Sequence, residues 1–159
     1  MAFAYIRSWL SGFDPPSFRY AIRLAKLHDR AFDTAVEFGK TLSAVGLKRE
    51  RDPAASLAHF GLSTALTAVT REFRRLKLPA SQGLGAFRDS FTQLLHHLET
   101  LTGGEWNRLA NTMASLKPMT EDESIKILDA ASGLLAGISI WSEEIKTASH
   151  TFLNLNKRV

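Results

Sequence analysis

The sequence predicts an all-α fold, an antiparallel bundle of long helices preceded by a short amphipathic one. Three observations carry that expectation. Apolar residues recur at steps of three and four through most of the chain, and that spacing places them along one face of a helix. No stretch shows the strict alternation of a half-buried strand, and there is no internal repeat. The periodic segments are separated by Pro, Gly and capping residues at the places where helices start and stop.

The clearest segment is GLGAFRDSFTQLLHHLETL. Its apolar residues Leu84, Phe87, Phe91, Leu94, Leu98 and Leu101 follow steps of 3, 4, 3, 4, 3, with Leu95 widening the seam into a face. Such a helix must bury that face against others. Residues 2–11 read as a short amphipathic helix, with Phe3, Ile6 and Leu10 on one face, Tyr5 and Trp9 beside them, and the single charge Arg7. Two roles fit: an anchor in a membrane interface, or a cap folded over the open end of the bundle. Gly12 and the Pro15-Pro16 pair end it.

Residues 17–45 predict the first long helix, with Pro16 in its first turn. Leu24, Leu27, Ala31, Ala35, Phe38, Leu42 and Val45 trace one stripe, and Phe18, Ile22, Ala25 and Phe32 an adjacent one. Two stripes imply more than one packing neighbour and leave room for a dimer interface. Arg19, Arg23, Lys26 and Arg30 form a basic ridge beside an acidic ridge of Asp29, Asp33 and Glu37. Gly46 suits a left-handed helix cap. The loop GLKRERD at 46–52 holds Lys48, Arg49 and Arg51, and Asp52-Pro53 is a helix start.

The next helix, 53–78, has the seam Ala58, Leu62, Ala65, Val69, Phe73 and Leu76, and its end is basic, with Arg71, Arg74, Arg75 and Lys77. Cations there also complement the helix dipole. Residues 82–116 predict one rod with a break at Gly103-Gly104, continued by Trp106, Leu109, Met113 and Leu116. Thr120 and Glu123 form a capping box for the last helix, 120–155. At 1.5 Å per residue that helix is roughly 50 Å long.

Composition narrows the function classes. The 159 residues fit one domain, with no cysteine, a net charge of +4 and a pI near 9.6. The absence of cysteine removes disulfides and thiolate chemistry, and makes an intracellular protein, soluble or peripheral to a membrane, the preferred location. The charge is uneven. The first 51 residues carry nine Lys/Arg against five Asp/Glu, while residues 120–159 carry four against six. A basic half suits an anionic partner surface, lipid or nucleic acid.

The longest apolar run, LLAGISIW at 134–141, is short of the ~20 residues a bilayer requires. The N-terminal stretch has no cleavage site and does not read as a signal peptide.

No chemistry-bearing motif is specific. The histidines His28, His59, His96, His97 and His150 have neither His-x-x-x-His nor Glu-x-x-His spacing, so no metal or other cofactor is expected. The Gly-Leu-Gly at 83–85 lacks the further glycines and the preceding strand of a phosphate loop. No nucleophile–base constellation can be drawn. The chain therefore reads as non-enzymatic.

Three stretches carry a resemblance: VEFGKTLSAVG at 36–46, LAHFGLSTALTAVTREFRRL at 57–76 and FRDSFTQLLHHLETL at 87–101. Over roughly residues 29–101 the chain resembles the BAR domain family, in particular its sorting-nexin type. The resemblance implies a crescent-shaped dimer that binds curved anionic membranes through basic residues, often with an N-terminal amphipathic helix. It would make Arg19, Arg23, Lys26, Arg30, Lys48, Arg49 and Arg51 lipid contacts and Phe3, Ile6 and Trp9 the wedge.

Two further readings stay open. In one, the chain is a basic helical subunit of a nucleic-acid-binding assembly. The same cations, with Arg71, Arg74, Arg75 and Lys77, then meet phosphates without reading sequence. In the other, it is an adaptor whose spare apolar stripe docks a partner helix. A homo-oligomer or a place in a larger complex fits any of the three.

Overall fold

The computed structural model describes residues 15–155, less 81, 82, 114 and 116. These residues form five helices and no strand: α1 (Pro15–Lys48), α2 (Ala54–Arg75), α3 (Leu84–Thr100), α4 (Gly104–Thr112) and α5 (Glu121–Leu155). The all-helical expectation holds. Helix α1 packs along both α5 and α2, α3 closes against α5 and also reaches α1 and α2, and α4 rests on α2.

The apolar periodicities become the core. All seven residues of the main α1 stripe are buried, and so are Leu84, Phe87, Phe91, Leu94, Leu95, Leu98 and Leu101. Phe73 of α2 and Phe91 of α3 meet with ring centroids 5.0 Å apart. Leu62, Ala65, Val69 and Phe73 fill the α2 side, and Ala131, Ile138, Ile145 and Phe152 the α5 side. His59 is a core residue. Its Nε2 lies 2.9 Å from the Leu101 carbonyl oxygen, and its ring meets Phe38 edge-on.

Several boundaries differ from the sequence reading, each for a local reason. Helix α1 runs through Gly46 to Lys48, and the left-handed residue is Arg49, with φ 55°. Gly46 serves close approach instead. It is buried, a Cβ there would lie 2.7 Å from Leu128 Cγ, and Ser124 Oγ donates to its carbonyl at 2.7 Å. One helical heptad earlier Gly39 repeats the arrangement, since its Cβ would lie 2.8 Å from Leu135 Cδ2. The pairing along α1 and α5 thus runs in opposite numerical order. Toward the start of α1, His28 shares a cavity with Ile145 and Lys146.

Helix α2 stops at Arg75 because Leu76 turns extended, at ψ 121°, ahead of Pro79. The third rod is two helices. Gly103 is extended and Gly104 takes φ 55°, so the helix is broken there and α4 begins as a separate one. Gly83 opens α3 at φ 78°, against the last turn of α5 near Phe152.

The two caps expected at helix starts form. Asp52 Oδ1 accepts the Ala54 N–H at 2.8 Å. The Thr120 N–H donates to Glu123 at 2.9 Å, and the Glu123 N–H donates back to Thr120 Oγ1 at 3.2 Å.

One expectation needs correction. Within Glu121–Phe152 an 18-residue stretch of α5 reaches a mean hydropathy of 1.3, which by length and composition is enough to cross a membrane. Run length missed this because Ser and Gly interrupt the large apolar residues while no charge occurs from 130 to 142. In this fold Leu134, Ile138 and Ile145 of that helix are buried against the bundle, while Ile125 and Ile140 are exposed and only 28% of the apolar stretch is buried.

Candidate anion-binding site

The α1–α2 pair determines where the cations fall. Arg30 of α1 pairs with Glu72 of α2, which sets the end of α2 beside the early turns of α1. Arg23, Lys26 and Leu27 of α1 then line one groove, of about 280 Å³, with Glu72 and Arg75 of α2 and Leu76 just beyond it. Arg75 also lines the neighbouring groove, of about 510 Å³, between α2 and the end of α3. Arg71, Arg74, Thr67, Thr70 and Glu99 are among its walls. The two grooves share a residue and form one continuous basic face.

Arg23, Lys26, Arg71, Arg74 and Arg75 are all exposed, and among the described residues none of the five is ion-paired. Arg19 is exposed on the ridge of α1, and Lys77 is exposed just past the end of α2. Arg30 is partly committed, since its Nη1 reaches Glu72 at 3.3 Å.

The cations of the 46–52 loop sit at the other end of the bundle and have different surroundings. Arg49 pairs with Glu121 at 3.1 Å. Arg51 has only a tenth of its side chain exposed and is fully engaged. Its Nη2 donates to both Glu123 oxygens at 2.9 Å, its Nε to the Lys117 carbonyl at 2.7 Å and its Nη1 to the Thr112 carbonyl at 3.0 Å. It ties the α1–α2 loop to the end of α4 and the start of α5. Lys48 is exposed, but Glu50, Asp52, Glu121 and Asp122 stand among these cations and leave this end close to charge balance. The wedge residues Phe3, Ile6 and Trp9 lie outside the described residues.

Reading α1 and α2 separately missed the hydroxyl-bearing wall of the larger groove. Ser63, Thr67, Thr70 and Arg74 follow steps of 4, 3, 4 on α2, which is a signal visible in the sequence. Opposite them Glu99 accepts the Thr70 hydroxyl at 3.4 Å.

A separate cavity of about 340 Å³ includes His28, Asp29, Phe32, Asp33 and Lys146 in its lining. His28 is buried, stacks on Phe32, and places Nδ1 3.1 Å from Asp29 Oδ1. Its Nε2 has no partner among the described residues. Burial holds the His28 pKa below the usual histidine value against the opposing pull of Asp29 and Asp33. Among the described residues no cluster of three or more His, Asp or Glu side chains is arranged to hold a metal ion.

No protein-family model, no curated protein and no solved structure matches this chain.

Proposed function

We propose that the chain is a non-enzymatic helical adaptor that docks on an anionic membrane surface through the α1–α2 face. The supporting observation is that five cations, none ion-paired among the described residues and drawn from two helices, line adjoining grooves that share Arg75. Basic residues near an anionic leaflet contribute ~1 kcal/mol each, so five reach a useful affinity without deep insertion. Arg19 and Lys77 extend the face, while Arg51 is reserved for the fold. Residues 2–11 form an amphipathic helix in this reading, with Phe3, Ile6 and Trp9 inserting between headgroups. The α1–α5 pairing is read as part of an up-down antiparallel bundle, and the BAR-type resemblance adds a dimer to the proposal.

Co-sedimentation with anionic vesicles over a salt series tests this, run beside binding to duplex DNA and RNA. Vesicle binding that weakens when Arg23, Lys26 and Arg75 become Ser, and further when Phe3, Ile6 and Trp9 become Ser, is the expected result. Hydrophobic insertion is not screened, so part of the binding persists at moderate salt. Nucleic-acid binding that falls steeply with salt, without vesicle binding, would replace the membrane with a phosphate backbone as the target.

A further inference from the structure

We propose that the groove between α2 and α3 is a binding site for a phosphate monoester. The inference rests on the reading of the α1–α2 face as an anion-docking surface, and goes further by assigning one chemical group to one place on it. The groove is a shallow, open depression of about 510 Å³ whose lining gathers Arg71, Arg74 and Arg75 with Ser63, Thr67 and Thr70. Arg71, Arg74 and Arg75 occupy little more than one helical turn, and among the described residues none meets a carboxylate in an ion pair. Three guanidinium groups at that spacing repel one another, and an anion between them offsets the repulsion.

The cations are arginines, not lysines. A guanidinium presents a planar fork of N–H donors that matches two oxygens of a phosphate, whereas an ammonium acts as a point charge. A monoester offers three non-bridging oxygens and nearly two negative charges. A diester offers two such oxygens and one charge. Three forks around one group therefore favour the monoester. Glu99 stands on the opposite wall, held by the Thr70 hydroxyl, and lowers the positive potential of the groove. Its field acts on both esters in proportion to charge, so the monoester keeps its advantage, and neutralising Glu99 enlarges it.

The monoester can come from a lipid headgroup or from a soluble phosphate ester, and the test separates the two. The full chain is titrated with phosphatidylcholine vesicles containing phosphatidic acid, or phosphatidylglycerol adjusted to the same surface potential. Glycerol 3-phosphate is titrated separately and followed by shifts of the α2 and α3 backbone amides. Phosphatidic acid is expected to bind about tenfold more tightly than phosphatidylglycerol.

The charge-conserving variant carrying Arg71→Lys, Arg74→Lys and Arg75→Lys is expected to lose that preference. Its phosphatidylglycerol binding should stay within about twofold of the parent and its helicity should be unchanged. Glu99→Gln is expected to tighten phosphatidic acid binding about threefold and to widen the preference. Binding of glycerol 3-phosphate in the groove without vesicle binding supports the site with a soluble source and overturns membrane docking. Equal binding of the two vesicle types, or a preference retained by the triple-lysine variant, overturns the site while leaving membrane docking in place. No response to either vesicle or to glycerol 3-phosphate overturns both.

Discussion

Replacing Arg51 by Ala tests whether this cation serves the fold. The side chain is nine-tenths buried and spends its donors on two backbone carbonyls and both oxygens of Glu123. Hydrogen bonds from a charged group are worth about 1.5–3 kcal/mol each in isolation. They share one side chain here and do not add. Thr112 and Lys117 are exposed, so water can take over their carbonyl oxygens. The expected loss is about 3 kcal/mol. With a urea slope of about 2 kcal/mol/M for a chain of this size, the unfolding midpoint falls by about 1.5 M at unchanged slope.

Arg49→Ala is the matched control. It removes an exposed pair with Glu121 and is expected to cost no more than about 0.5 kcal/mol. The pH dependence supplies a second arm. The Thr120 backbone N–H, and then Arg51, hold the Glu123 pKa below the usual glutamate value. Glu123 therefore contributes stability that is complete above that usual value and is lost as the pH falls through its folded value. In Arg51→Ala the acid-side loss from Glu123 shrinks. A midpoint shift below about 0.5 M, or an unchanged acid limb, would refute the view of Arg51 as a tie between three segments.

Other expectations concern packing and titration. Gly39→Val is expected to destabilise by about 2 kcal/mol in denaturant melts, because its Cβ meets Leu135. Gly133→Ala, where a Cβ meets nothing within 4 Å, is expected to stabilise by about 0.5–1 kcal/mol. Phe91→Ala empties a fully buried position beside Phe73 and should cost about 3–5 kcal/mol, read in the same melts. Since His28 is held neutral by burial, its unfolded form binds more protons as the pH drops below the usual histidine value. Stability should therefore decline on acidification through that range, and His28→Phe should flatten the slope measured between neutral pH and pH ~5.

The core was legible in the sequence wherever one helix face determined it. The strict 3–4 spacing from Leu84 to Leu101 admits one buried face, and every member of that seam is buried. Helix ends were less legible, because a glycine has two uses. At Gly46 its conformational freedom and its lack of a side chain predict different structures, and only the position of α5 decides between them. Arg51 was illegible as a structural residue because its partners lie 61 to 72 positions away. The basic face was half legible. The ridge of α1 and the end of α2 were each visible, but their juxtaposition depends on the return of the chain through residues 49–53.

The two glycines of α1 also limit how the molecule can change shape. Gly39 and Gly46 are seven residues apart, and so are the leucines they receive, Leu135 and Leu128. A slide of α5 along α1 by one turn would remove both leucines from their notches and press them against side-chain-bearing positions. Only a shift of a full heptad, roughly 10 Å, would seat a leucine in a notch again. The α1–α5 seam therefore behaves as a detent with one resting position. Sliding of one helix past another is resisted most strongly along this pair, which serves as the fixed frame of the bundle.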